Sequence, residues 1–466
     1  MEESTKPSVG LKKEIGLAGA TAVVVGNIIG SAIYMLPQTL ANAASCQQTL
    51  IGWLISAGGT IVLALVFANL GEKYPHDGGP VQYARDSFGS LAGFLTVWIY
   101  WIGAWICDAA VVIGSISYLS YFIPALRTNG LLAFIGASIV LWTFTLINIK
   151  GSKEVGIVAV ITTIAKIVPL LVFIVVAATH FNAANLSTVS PAVAAKHAGM
   201  GGGIASATGV TLWAFLGIES ASIAAGDVKD PRRNVKRATL FGTIIAVVIN
   251  ILLSFFAMGA VPQKVLAASA SPLADVVNTV TGSYWGGSFF ALGAIISCLG
   301  ATSGWILITA RMALTAGEEG LFPKVFAKIS PKTHTPINAL VISSILANLL
   351  LLLNFVGTMQ SAYNFMVLIG TLASIPVLLF SCCADMILFF KKSDKITVGS
   401  FLKGNALPLI GFAYSIYAIY GTGANAALWC FIAMFAAIPL LIYVQLREKS
   451  ESTLPEGVVE QKAPII

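Results

Sequence analysis

The chain has 466 residues, 57% of them hydrophobic and only 10% charged, with a mean hydropathy of +0.87. Soluble domains carry roughly 25% charged residues, so the composition excludes a soluble globular protein and leaves a polytopic membrane protein. The formal net charge of +7 calls for no nucleic-acid partner, because membrane topology accounts for it.

Apolar runs long enough to cross about 30 Å of hydrocarbon recur along the chain. They predict an all-α bundle with spans near 15–37, 49–71, 89–123, 130–149, 155–180, 203–226, 237–261, 284–316, 336–356, 361–390, 405–423 and 427–446, about twelve in all. Residues 1–14 read as a polar N-terminal tail, 15–446 as one membrane domain and 447–466 as a charged C-terminal tail. With the N-terminus placed inside, nearly all Lys and Arg fall in the tails and the even-numbered loops. Arg127, Lys196 and Lys264 fall in odd-numbered loops, and Lys166 lies within a span. By the positive-inside rule both termini are expected in the cytoplasm. The first span lacks a small-residue cleavage site and is read as retained, not as a signal peptide.

That first span carries an interruption, Gly26-Asn27-Ile28-Ile29-Gly30-Ser31-Ala32. Two glycines at mid-depth weaken a helix, each by about 1 kcal/mol relative to alanine. Freed backbone groups in hydrocarbon need partners, so a break there is expected to line a cavity. Its two half-helices would present N–H groups to a carboxylate and carbonyls to an ammonium, as an amino acid requires. The bland reading is a packing pair of small residues.

After the second span comes Pro75-His76-Asp77-Gly78-Gly79-Pro80, then Tyr83 and Arg85, which reads as a turn or an interfacial helix. The third span, too long for a perpendicular crossing, contains Asp108 at mid-depth in WIYWIGAWICDAAVV. Tyr100, Ala104 and Asp108 share one helical face. An acid at that depth faces a cavity or a partner, and a structural pairing with a buried cation is the plain alternative. The fifth span supplies a cation, Lys166, with Pro169 expected to kink the helix. Lys166 either titrates during turnover, stands as a fixed charge where a sodium ion would otherwise bind, or snorkels to the interface.

The sixth span, GVTLWAFLGIESASIAAG, is the second interrupted element, with Gly217 and Glu219 at mid-depth and Trp213 before them. Paired interruptions in corresponding positions of two halves point to a transporter binding site between inverted repeats. The basic segment DVKDPRRNVKRA (227–238) follows, and the eighth span carries GATSGW (300–305) and Arg311. Later spans show little beyond Gly370, Thr371 and Ser374; spans eleven and twelve fall outside a five-plus-five repeat and are available for packing or for a homodimer. Cys46, Cys107, Cys298, Cys382, Cys383 and Cys430 show no metal-ligand spacing, and His76, His180, His197 and His334 are too dispersed for a metal site. Gly421-x-Gly423 is read as a tight connection, and no nucleotide-binding motif is present. Neither cofactor nor metal is therefore expected. Rival readings are proton-coupled uptake of neutral amino acids, a membrane enzyme using Asp108 and Glu219, and a channel; the last two lack a nucleophile–base set and a ring of charges.

Four segments together carry a resemblance: GNIIGSAIYMLP (26–37), PHDGGPVQYAR (75–85), WAFLGIESASIAAGDVKDPRRNV (213–235) and GEEGLFPKVFAKIS (317–330). In order and spacing they are similar to the amino acid–polyamine–organocation transporters, and within these to the basic amino acid/polyamine antiporters of arginine/agmatine type. The resemblance implies a LeuT-like fold of two inverted five-helix repeats, about 15–180 and 203–390, with extra helices at 405–446 and spans one and six unwound around the substrate. It implies a multi-pass protein of the inner cell membrane with an amino acid or amine as substrate. Residues matched to substrate binding are Asn27, Gly30, Ser31, Ala32, Tyr100, Asp108, Trp213, Leu216 and Trp305, and those matched to proton coupling are Glu219 and Lys166. Three departures stand out: Ala32 where the family has glycine, Asp108 where arginine/agmatine antiporters have asparagine, and Lys166, which resembles the lysine of sodium-independent amino acid transporters. The expected activity is sodium-independent exchange of a basic amino acid (arginine, ornithine or lysine class) for its decarboxylated amine or another amino acid; proton-coupled or exchange transport of neutral amino acids is the alternative.

Overall fold

The computed structural model describes residues 13–30, 32–74, 79–189, 193–194, 199–269, 271–283, 285–352, 359–392, 397–422 and 424–452. Ser31, the turn 75–78 with His76, and Lys196, His197 and Gly423 of the sequence reading lie outside these residues, as do most of both tails.

The architecture is helical. Among the described residues nine helices are long and apolar enough to cross a membrane, and Ile337–Leu350 and Ala406–Gly421 are shorter apolar helices. In chain order the helices used below are α1 (Leu17–Ile28), α2 (Ala32–Ala43), α3 (Cys46–Lys73), α4 (Pro80–Phe88), α5 (Ser90–Leu119), α6 (Gly130–Lys150) and α7 (Ser152–Thr179). They continue with α8 (Met200–Trp213), α9 (Ser220–Ile223), α10 (Pro231–Ala260), α11 (Trp285–Glu318), α12 (Ile337–Leu350), α13 (Met359–Lys392), α14 (Ala406–Thr422), α15 (Ala424–Phe435) and α16 (Ile438–Ser452). Their ends follow local chemistry. Ser45 and Gln48 form a reciprocal capping box that starts α3, and Pro80 opens α4, where a missing N–H costs nothing. The helix α7 runs on through Pro169 as one element.

Two elements form the centre. The apolar windows of α5 and α11 are 89% and 78% buried, whereas that of α6 is 22% buried. Burial on all sides needs small residues where helices touch, and α5 and α11 supply them: a Cβ on Gly103 would lie 2.5 Å from that of Ala373 on α13, and one on Gly300 would lie 2.2 Å from Thr162 on α7. The peripheral helices carry exposed side chains such as Leu146, Ile161 and Trp429, as contact with lipid tails allows.

Both interruptions expected from the glycine pattern are present as breaks in the helix. The first helix stops at Ile28, Ile29 leaves helical geometry (φ −89°, ψ 72°), and α2 begins at Ala32. Between Trp213 and Ser220 the chain forms turns with i→i−3 bonds, Leu216 N–H to Trp213 O and Ser220 N–H to Gly217 O, around Gly217 at φ +107°.

At one end of the bundle the same two elements meet again. Ile15 pairs with Val228 in a parallel bridge, its N–H donating to Asp227 O (2.9 Å) while Lys229 N–H donates to Ile15 O (2.8 Å). Asp227 also accepts two bonds from Arg311 of α11, Nε and Nη2 each at 2.6 Å, in a pair that is almost wholly buried. Removing one partner of a buried pair strands the other charge, at about 3–5 kcal/mol. Arg311→Ala is therefore expected to lower the thermal unfolding midpoint of the purified protein markedly, and the double variant Arg311→Met, Asp227→Leu to recover much of it. An unchanged midpoint in Arg311→Ala would show that the pair carries no such load.

Candidate functional site

The two breaks press against each other. A Cβ on Gly217 would lie 2.8 Å from Asn27 Cβ and 3.2 Å from its carbonyl carbon, and one on Gly304 of α11 would lie 2.1 Å from Asn27 Oδ1. Glycine at 217 thus meets two demands, positive φ and close approach. Asn27 bridges the breaks, its Nδ2 donating to Ser220 Oγ at 2.8 Å, and its Oδ1 is buried without a hydrogen-bond partner.

The carbonyl end of α1 is satisfied from outside the helix. Lys166 Nζ of α7, fully buried, donates to Ile29 O (2.8 Å) and Gly26 O (3.1 Å) and reaches Ser297 O of α11 at 3.4 Å. Ser297 Oγ donates to Ile29 O or Gly30 O, each at 3.0 Å. One ammonium and one hydroxyl therefore cover the carbonyls of Gly26, Ile29 and Gly30 at the break, where hydrocarbon would offer no partner. The α2 half begins on the other side of the break and presents the positive end of its dipole there.

Beside the breaks lies a small cavity, walled by Asn27, Ile28, Gly30, Ala32, Trp213, Leu216 and Trp305, with Cys107 and Val111 of α5. Two indoles and several aliphatic groups make it mostly apolar; its polar features are the Asn27 amide, backbone groups and Trp213 Nε1, which has no partner. Two acids stand near its edge. Glu219 Oε1 accepts from Tyr100 OH (2.5 Å) and Asp108 Oδ2 accepts from Thr309 Oγ1 (3.0 Å). Glu219 Oε2 and Asp108 Oδ1 have no partner among the described residues, although both residues are buried.

Of the residues singled out in the sequence, Asn27, Gly30, Ala32, Trp213, Leu216 and Trp305 thus share one cavity wall. Tyr100, Asp108, Glu219 and Lys166 are buried around it without lining it. The wall that α5 contributes is Cys107 and Val111, one residue removed from the Tyr100–Ala104–Asp108 face. That face was chosen for its acid, whereas an i, i+4 pair of small apolar residues gave no comparable signal. Ser297 and Thr309 were also missed, since single hydroxyls in an apolar helix are common and usually bond within their own helix. All six cysteines are free, and among the described residues no cluster of three or more His, Cys, Asp or Glu side chains could hold a metal ion.

Comparison with known proteins agrees with this geometry. A solved nucleobase-cation-symport-1 family transporter, Mhp1, superposes with a TM-score of 0.55 over 91% of this chain and 95% of its own, at 12% identity, which shows a shared LeuT-like fold. The chain is 31% identical to a putative arginine/ornithine antiporter of Bacillus subtilis (87% of this chain, 91% of the relative). It is 31% identical to an arginine/agmatine antiporter of Chlamydia caviae (95% and 92%) and 30% identical to a cadaverine/lysine antiporter of Escherichia coli (94% and 96%). The amino acid permease family model matches residues 15–442, and the chain belongs to that family of membrane transporters.

Proposed function

We propose that this permease is a sodium-independent antiporter that exchanges a basic amino acid for its decarboxylated amine or for another amino acid. The observation that carries the reading is the pair of breaks at Ile28–Ala32 and Trp213–Ser220, packed on each other beside a cavity with two indole walls. In this reading the bundle makes twelve crossings as two inverted repeats (15–180 and 203–390) plus the helices at 405–446, with both termini in the cytoplasm of a cell bounded by its inner membrane. The backbone at Gly30–Ala32 and the start of α2 receive the carboxylate, and Asn27 Oδ1 and the turn carbonyls receive the amine. Trp213 and Trp305 face the cationic side chain, with cation–π attraction of about 0.5–2 kcal/mol. Tyr100 and Leu216 close the pocket, and Glu219 couples protonation to turnover.

Sodium independence rests on Lys166. Its ammonium lies on the very carbonyls a cation would need, so the charge that could otherwise come and go is covalently part of the chain. The named relatives exchange arginine, ornithine, agmatine, lysine or cadaverine, and Asp108 and Glu219 supply negative charge suited to such cations. Exchange of neutral amino acids is the second reading, favoured by the aliphatic walls at Ile28, Val111 and Leu216 and by the Asp108 carboxylate lying outside the lining.

Counterflow into proteoliposomes loaded with arginine, ornithine, lysine, agmatine, putrescine or a neutral panel separates the two. Uptake of labelled basic amino acid is expected only with a basic amino acid or amine inside and without sodium; counterflow confined to the neutral panel would favour the second reading. Trp213→Leu is expected to raise the KM for a basic amino acid by about 2- to 30-fold, the cation–π range, while Trp213→Phe retains part of the affinity. Glu219→Gln keeps an acceptor for Tyr100 but carries no titrating proton, so exchange should persist with its pH dependence flattened. An unaltered pH profile would remove Glu219 from coupling.

A further inference from the structure

Away from the substrate cavity, an apolar groove of ≈ 310 Å³ runs between α13, α14 and α15, walled by side chains such as Phe88, Leu379, Cys383, Phe412, Phe431 and Met434. Phe88 and Phe431 on its rim are 42% and 54% exposed, so it opens sideways toward the bilayer. Lining residues on α13 extend from Leu372 to Cys383, a rise of about 16 Å at 1.5 Å per residue. That is the span of an extended acyl chain, which would make dispersion contacts along the whole of this wall.

One end of the groove is marked by charge. Phe88, at the end of α4, sits edge-on to Phe380 of α13 with ring centroids 5.8 Å apart. Lys391 follows Phe380 by eleven residues, about three helical turns, and so lies on the same face of α13 beyond the groove's end. The contacts place it there independently: Lys391 Nζ donates to Asp86 O at 2.7 Å, two residues before Phe88, and the side chain is exposed. Its ammonium has further N–H bonds to give. Lys403 is exposed on the neighbouring helix Val398–Gly404, whose Gly404 lies against Phe389. Among the described residues the acids nearby are engaged: the Asp86 carboxylate accepts from Gln82 (3.1 Å), Glu319 pairs with Arg85, and Asp385 faces Lys73.

We propose that this groove is a resident lipid site, holding one acyl chain of an anionic glycerophospholipid whose headgroup phosphate is received by Lys391. The tail makes the wall contacts and the ammonium the polar anchor, so the site selects by headgroup charge as well as by shape. Lipid seated there would brace α13, which packs on α5, and α14, which packs on α3.

The test uses the full-length protein in nanodiscs of phosphatidylcholine containing a minority of phosphatidylglycerol, with retained lipid read by native mass spectrometry after mild delipidation. One retained phosphatidylglycerol per chain is expected in the wild type. A single Lys near a membrane surface is worth about 1 kcal/mol, roughly fivefold in binding, so Lys391→Ala should reduce the preference for phosphatidylglycerol over phosphatidylcholine about fivefold while leaving counterflow intact. Leu379→Trp, and the milder Cys383→Leu should that variant not fold, narrow the slot and should lower retention of both lipids. Unchanged headgroup preference in Lys391→Ala, or full retention in the narrowed variants, would overturn the proposal. So would cross-linking that finds the groove covered by a second copy of the chain.

Discussion

The Lys166 ammonium on the carbonyls of Gly26 and Ile29 is the contact without which the site cannot exist. Ending α1 at mid-depth leaves carbonyls with no intrahelical partner, and hydrocarbon offers no water to take them. Burying an isolated ammonium costs several kcal/mol after relaxation. Each defect is the remedy for the other: the break supplies acceptors for the charge, and the charge supplies donors for the break. Ser297 completes the set from α11, so the break is tied at once to α7 and to the central helix. Neither group could have been placed first. A lysine in an unbroken bundle would be an orphan charge, and a break without the lysine would be open backbone in oil.

A second constraint is steric. Gly217 and Gly304 pack closely against Asn27 on two sides, and Asn27 in turn bonds Ser220 beyond the second break. The discontinuities are therefore parts of one joint. The two elements meet again where Ile15 pairs with Val228 and Arg311 grips Asp227. Between the joint and this anchor, α1 on one side and the segment from Ser220 to Asp227 on the other are held at both ends. Movement of one without the other would cost the Asn27–Ser220 bond, the backbone bridge, or both. In the proposed exchange this favours displacement of the pair as a unit against α5 and α11, the packed centre of the bundle.

Much of this was legible in the chain. Hydropathy located the apolar segments because hydrocarbon leaves a helix few alternatives. The breaks were visible because Gly26, Gly30 and Gly217 are costly in helices, and Trp213 and Trp305 stood out as large aromatics among small residues. What stayed hidden was pairing across space. Nothing local tells which carbonyls Lys166 reaches, that Asp108 bonds Thr309, or that Arg311 of the eighth span closes on Asp227. Which α5 side chains line the cavity was hidden for the same reason. A helix rotates by about 100° per residue, so choosing the acid as the marker selected Asp108 over its neighbour Cys107, which lines the cavity. Rotation about a helix axis is set by neighbours, and α5 is surrounded by them.

The charges around the cavity bear on what it can carry. Lys166 bonds backbone carbonyls, and among the described residues neither it, Asp108 nor Glu219 is in a salt bridge. A basic amino acid brings one net positive charge and its decarboxylated amine brings two, so a carrier exchanging them must tolerate both in the same low-dielectric space. One carboxylate fully committed to an arginine or lysine of the protein could not respond to that difference. Two carboxyl groups, each bonded to a hydroxyl and each with an oxygen that has no partner among the described residues, could in the proposed exchange gain or release a proton as the cargo changes. Hydroxyl partners hold a carboxyl group in place in either protonation state, because a hydroxyl donates to the charged form and accepts from the neutral one. Tyr100 and Thr309 are thus the partners that a proton-linked exchange of cations of unequal charge would need, and a fixed ion pair at either position would oppose it.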